Sequence, residues 1–258
     1  MREEWRTPYA AREGEVAGGS QRGDVTAAEL TIETGDGKTF AAYFASTGAT
    51  PAPGIIVLPP IFGVDRQMRD LADRCAQRGY AAAVMNQFWR DPQPQTYERT
   101  PAERPLALER AARVDVDQLV DDVRATIAAL RARPECNGKI GVMGYCFGGR
   151  YAFLAAARLD VDVATTFHGT QIGISLADAP TVAAPMSLHF GGADPLTPPD
   201  EIDAIRTALH HRSDAEIVVY PGAGHNFSQP GWPGYDSAVA TASEERAFAL
   251  FDPLKDRL

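Results

Sequence analysis

Cysteine is scarce in this chain. Its 258 residues include three, Cys75, Cys136 and Cys146, and no two have C-x-x-C spacing. That excludes a disulfide framework or a cysteine-built zinc site as the organising device, and it fits a reducing compartment. Long apolar runs are absent too, none reaching the ~18 residues of a membrane span. Basic charge is in deficit, with 25 Lys and Arg against 34 Asp and Glu and a net charge of −9. That balance argues against nucleic acid or an anionic membrane as partner. The opening Met1-Arg2-Glu3-Glu4-Trp5 has no apolar signal-peptide core, so a cytoplasmic protein is expected.

What is present suits one ordinary globular domain, 45% hydrophobic and 23% charged. Residues 1–24 are polar and carry charge of both signs, which predicts a loosely held extension before a domain over 25–258. Alternating segments around Gly35-Asp36-Gly37 predict an antiparallel hairpin. Pro51 to Gly54 reads as a linker, and Ile55 to Leu58 as a central parallel strand. The spacing of Met68, Leu71, Ala72 and Cys75 predicts a helix ending at Gly79, followed by a strand over 80–85. Residues 86–105, rich in proline, arginine and glutamine, read as a long surface loop that covers a site. Strands then alternate with helices to the C-terminus, which predicts a mainly parallel sheet with both faces covered.

The sequence is organised around Gly144-Tyr145-Cys146-Phe147-Gly148, which joins an apolar strand to an alanine-rich helix. Strand, G-x-nucleophile-x-G turn and helix make up the nucleophile elbow, here with cysteine in place of serine. Side chains at 144 or 148 are expected to collide with neighbouring strand and helix. The sulfur then stands at a helix N-terminus, where the dipole favours negative charge. A lone cysteine is more often plain core, and Cys75 and Cys136 are read that way.

Two later strand ends weigh against the plain reading for Cys146. Asp194 follows Phe190-Gly191-Gly192-Ala193, and His225 follows Pro221-Gly222-Ala223-Gly224. Alone, each would pass as turn chemistry or a solvated side chain. Together the order Cys146, Asp194, His225 is nucleophile, acid, histidine, in which the histidine takes the thiol proton and the aspartate orients the ring.

Gly144-Tyr145-Cys146-Phe147-Gly148-Gly149, Gly192-Ala193-Asp194 and Gly222-Ala223-Gly224-His225-Asn226-Phe227 resemble the motifs of the dienelactone hydrolases (carboxymethylenebutenolidases). Ile61-Phe62-Gly63-Val64 is similar to that family's loop after the central strand, and the resemblance spans roughly residues 28–255. It implies an α/β-hydrolase fold with no cofactor and no metal. It also implies a small lactone or ester as substrate and a thioester intermediate. The oxyanion would meet the backbone N–H groups of Ile61 and Phe147, and Phe62, Phe167 and His168 would line the pocket. A monomer or weak homodimer is expected.

The departures are specific. Where the family carries a glutamate that helps activate the cysteine, this chain has Pro60, so any ion pair must form directly between Cys146 and His225. The family clamps a substrate carboxylate with two arginines. After the histidine this chain has Ser228-Gln229-Pro230, so Gln229 offers a neutral donor; upstream, Arg104 is the nearest match and Arg110 a poorer one. A weaker preference for carboxylate-bearing lactones is the expectation. The alternatives are a general carboxylesterase or thioesterase, and a hydrolase fold turned binding protein.

Overall fold

The computed structural model describes residues 24–48 and 51–256, so nearly all of the extension expected over 1–24 lies outside the described residues. Among the described residues eight strands form one sheet in the order β1-β2-β4-β3-β5-β6-β7-β8. β1 (Thr26–Glu33) and β2 (Thr39–Ser46) are the expected antiparallel hairpin, and β2 pairs antiparallel with β4 (Ala81–Val84). From β4 onward every pairing is parallel, through β3 (Ala52–Leu58), β5 (Cys136–Tyr145), β6 (Val163–Phe167), β7 (Met186–Gly191) and β8 (Ala215–Tyr220). This is the α/β-hydrolase architecture.

Continuous apolar strands follow from burial on both faces. Successive side chains take opposite sides: Ile56, Leu58, Ile140 and Val142 pack in one cluster with α3 (Val116–Arg131), α4 (Phe147–Arg158) and α5 (Pro199–Ala208). Ile55, Val57, Met143 and Tyr145 pack in the other with α1 (Arg66–Gln77) and α6 (Ser237–Phe251). Helix starts follow capping chemistry. The Asp65 carboxylate accepts from Met68 N–H at 3.0 Å, and Asp115 accepts from Gln118 N–H at 2.8 Å.

Two stretches differ from expectation. Ala52–Gly54 belongs to β3, and a register shift between Ala52 and Gly54 admits Pro53, which has no N–H for a regular ladder. The presumed surface loop after β4 is partly core, with Asn86, Gln87 and Phe88 buried. It leads into α2 (Arg104–Ala112), which opens with Pro105 in its first turn. Only Ala107 and Arg110 of α2 are buried while Leu106 and Leu108 are exposed, so no helical period of apolar residues marks it in the sequence. Among the described residues no helix is long and apolar enough to cross a membrane.

Candidate active site

The C-terminal ends of β5, β7 and β8 deliver Cys146, Asp194 and His225 to one place. Cys146 sits at φ 51°, ψ −114°, a backbone conformation side chains rarely adopt. Packing enforces it. A Cβ on Gly144 would come within 2.4 Å of the Gly148 carbonyl oxygen, and one on Gly148 within 2.1 Å of the Leu58 oxygen. The Cys146 N–H donates to the Phe167 carbonyl at 3.1 Å, and its own carbonyl accepts from Gly149 and Thr170 at 2.9 and 3.0 Å. The elbow is therefore tied to β6, to α4 and to the loop after β6.

His225 bridges the other two side chains. Its Nδ1 lies 2.7 Å from Asp194 Oδ2 and its Nε2 lies 3.2 Å from Cys146 Sγ. Asp194 is 4% exposed, and its second oxygen accepts from Leu196 N–H at 2.8 Å. With both carboxylate oxygens engaged, Nδ1 carries its proton toward the acid and Nε2 is left for the sulfur. Burial pulls the His225 pKa down. The hydrogen bonds to Asp194 and Cys146, and the electrostatic attraction of the same two groups, outweigh it and hold the pKa at about 9.

A pH test follows. The folded pKa lies above the ordinary ~6.5 of histidine, so the stabilisation from charged His225 is complete below about pH 6.5. It is lost as pH rises through about 9. The melting-temperature difference between wild type and His225→Gln should shrink over that interval, and a pH-independent difference would contradict the assignment.

Cys146 and His225 open on a cavity of ≈ 780 Å³. Pro60, Ile61 and Phe62 form one wall, Arg104 and Leu108 of α2 another, and Phe147, Arg150 and Tyr151 of α4 a third. Trp232 packs on Phe62 with ring centroids 5.4 Å apart. Among the described residues no aspartate or glutamate lines the cavity, although the chain is acidic. The N–H groups of Ile61 and Phe147 have no protein acceptor among the described residues.

The other expected pocket residues lie elsewhere. Phe167 is fully buried on the α1/α6 side, stacked on Tyr145 at 4.7 Å, because its position in β6 turns it to that face. Gln229 is 2% exposed, and its Oε1 accepts from Arg99, which also pairs with Asp65. It faces that arginine and not the cavity. His168 does not line the cavity but packs edge-on against His225, centroids 4.8 Å apart, with its Nε2 2.9 Å from Ser228 Oγ. Burial, then the positive charges of His225 and Arg99, push its pKa well below the ordinary value, so it stays neutral.

Sequence reasoning passed over Arg150. It follows Gly148-Gly149 one helical turn after Cys146, a spacing that would have put it on the same face. Its Nε donates to Ser175 Oγ at 2.7 Å. Neither Arg150 nor Arg104 has an ion-pair partner among the described residues.

The Dienelactone hydrolase family model matches residues 40–254. A carboxymethylenebutenolidase of Pseudomonas putida is 32% identical over 235 residues, covering 88% of this chain and 97% of that one. Carboxymethylenebutenolidase 1 of Cupriavidus pinatubonensis is 27% identical over 228 residues, with 88% and 97% covered. Among solved structures, a Klebsiella pneumoniae protein provisionally described as a dienelactone hydrolase superposes with a TM-score of 0.81 at 28% identity, covering 89% of this chain and 99% of that one.

Proposed function

The chain belongs to the dienelactone hydrolase family, and on that premise we propose that it is a cysteine-dependent hydrolase of small lactones or esters. The observation that carries this is the continuous contact from Asp194 through His225 to Cys146 at the mouth of the cavity. The Cys146 proton passes to His225 Nε2, 3.2 Å from the sulfur, and leaves a thiolate. The thiolate attacks the substrate carbonyl carbon, and the carbonyl electron pair moves to oxygen. That oxyanion accepts from the N–H groups of Ile61 and Phe147. The tetrahedral adduct collapses, the C–O bond to the alcohol breaks, and His225 Nε2 gives the departing alkoxide its proton. A thioester on Cys146 remains. A water then loses a proton to Nε2 and attacks the thioester, and the second adduct expels the thiolate and releases the acid. The direct contact between sulfur and Nε2 supports activation without the glutamate that Pro60 replaces.

The wall chemistry bears on substrate charge. Arg104 and Arg150 line a cavity to which no described residue brings a carboxylate, and Ser175 holds the Arg150 guanidinium by Nε, leaving its outer nitrogens for a ligand. Arg150 thus offers a cation that the sequence reading of a half-missing clamp did not include. Substrates bearing a carboxylate should be preferred over their methyl esters, and Arg150→Ala should erode that preference by about tenfold or more, in line with a charge-assisted bond of ~1.5–3 kcal/mol. The measurement is kcat/KM for the matched pair on wild type, Arg104→Ala and Arg150→Ala. Equal losses on acid and ester would remove the arginines from substrate recognition. A non-catalytic binding role is the competing reading; alkylation of Cys146 without turnover of any ester or lactone would favour it.

A further inference from the structure

We infer that Arg110 is a positioning residue that holds the Pro60–Gly63 turn so that the Ile61 N–H faces the oxyanion. The inference rests on the hydrolase reading above. Arg110 is 0% exposed, yet no carboxylate pairs with it among the described residues. Burial pushes its pKa down to about 10, so it remains a cation at neutral pH. A buried, unpaired charge is costly, and an apolar side chain of similar volume would fill the space more cheaply. What the guanidinium does there is therefore specific.

Its contacts converge on the turn. Nη2 donates to the Ile61 carbonyl at 2.6 Å, while Nη1 donates to the Pro94 carbonyl. The cation lies over the rings of Phe88 and Tyr97, 3.9 and 4.7 Å from their centroids. The flanking carbonyls are tied as well: Pro60 accepts from Gly63 N–H and Phe62 accepts from Tyr97 N–H, each at 3.0 Å. The three consecutive carbonyls of Pro60, Ile61 and Phe62 thus each accept a hydrogen bond, which fixes the peptide planes on both sides of Ile61. The Ile61 N–H is left without a protein acceptor in the cavity wall. Gly63, at φ 83°, lets the 94–95 segment close on the turn, since a Cβ there would lie 2.3 Å from the Gln95 oxygen. Only a planar fork spans both carbonyls at once, so lysine is an incomplete substitute.

The test separates oxyanion binding from the thiol–imidazole pair. Alkylation of Cys146 by iodoacetamide uses the nucleophile but forms no oxyanion, whereas p-nitrophenyl acetate hydrolysis needs both. Arg110→Gln and Arg110→Lys are compared with wild type. The alkylation rate constant is read from loss of residual activity and kcat per unit of burst amplitude, so neither depends on the folded fraction. Arg110→Gln should lower kcat on the order of ten- to a hundredfold, short of the ~100–1000-fold of losing a donor outright. KM and the alkylation rate should be little changed, and Arg110→Lys should recover part of the loss. Unchanged kcat, a parallel fall of both rates, or a lysine variant no better than glutamine would overturn the inference. Wild-type turnover that survives complete alkylation of Cys146 would instead overturn the hydrolase reading itself.

Discussion

Cys146→Ala is expected to abolish lactone and ester hydrolysis with the fold intact. The side chain is 8% exposed and small, and the residue's strained backbone is set by the glycine contacts around it, so alanine leaves the elbow in place. What disappears is the sulfur 3.2 Å from His225 Nε2, the atom that bonds the acyl group in the proposed mechanism. Losing a triad nucleophile typically costs ~10⁴-fold or more in kcat. His225→Ala should cost nearly as much, because in the proposed mechanism Nε2 serves both proton transfers. Asp194→Asn should leave a measurable remnant, since the acid's proposed part is to orient the ring and not itself to react. Far-ultraviolet circular dichroism of Cys146→Ala should match wild type. Ester turnover by that variant above the rate in buffer would remove Cys146 from the mechanism.

Gly148→Ala is expected to have the largest effect on stability. The added Cβ would stand 2.1 Å from the Leu58 oxygen and 2.6 Å from its carbonyl carbon, both backbone atoms of the central strand β3. A flexible side chain could move aside, but a strand paired on both edges cannot. Overpacking usually costs ~1–3 kcal/mol, and a clash with fixed backbone belongs at or above the top of that range. Chemical denaturation should show the loss as a lower midpoint. Gly138→Ala, near the start of β5 with nothing within 4 Å of the added Cβ, meets only its φ of 90° and should be milder. Equal midpoints for the two variants would mean that α4 can shift relative to β3.

The sequence made the central sheet legible because strands buried on both faces read as unbroken runs without charge, as at Ile55 to Leu58 and Ile140 to Met143. The positions of Cys146, Asp194 and His225 at strand ends were legible because glycines punctuate each strand-to-loop turn. The helix Arg104–Ala112 was not, because its buried face holds one alanine and one arginine. For the same reason Arg110 read only as a poorer match for a substrate-binding cation: burial of an arginine against backbone carbonyls leaves no mark on periodicity. Gln229 illustrates the opposite limit. Its position in the chain suggested the pocket, yet its contact with Arg99, distant in sequence, turns it away. Alternation along β6 could have assigned Phe167 to the α1/α6 face, had the facing of Val163 and Thr165 been weighed.

The central claim is a covalent acyl group on Cys146. Wild-type protein mixed with p-nitrophenyl acetate, quenched in acid during turnover and digested, should carry one acetyl group on the peptide containing Cys146. Hydroxylamine should release it, and Cys146→Ala should lack it. Steady hydrolysis with that peptide unmodified, or with the acetyl group on another residue, would contradict the account.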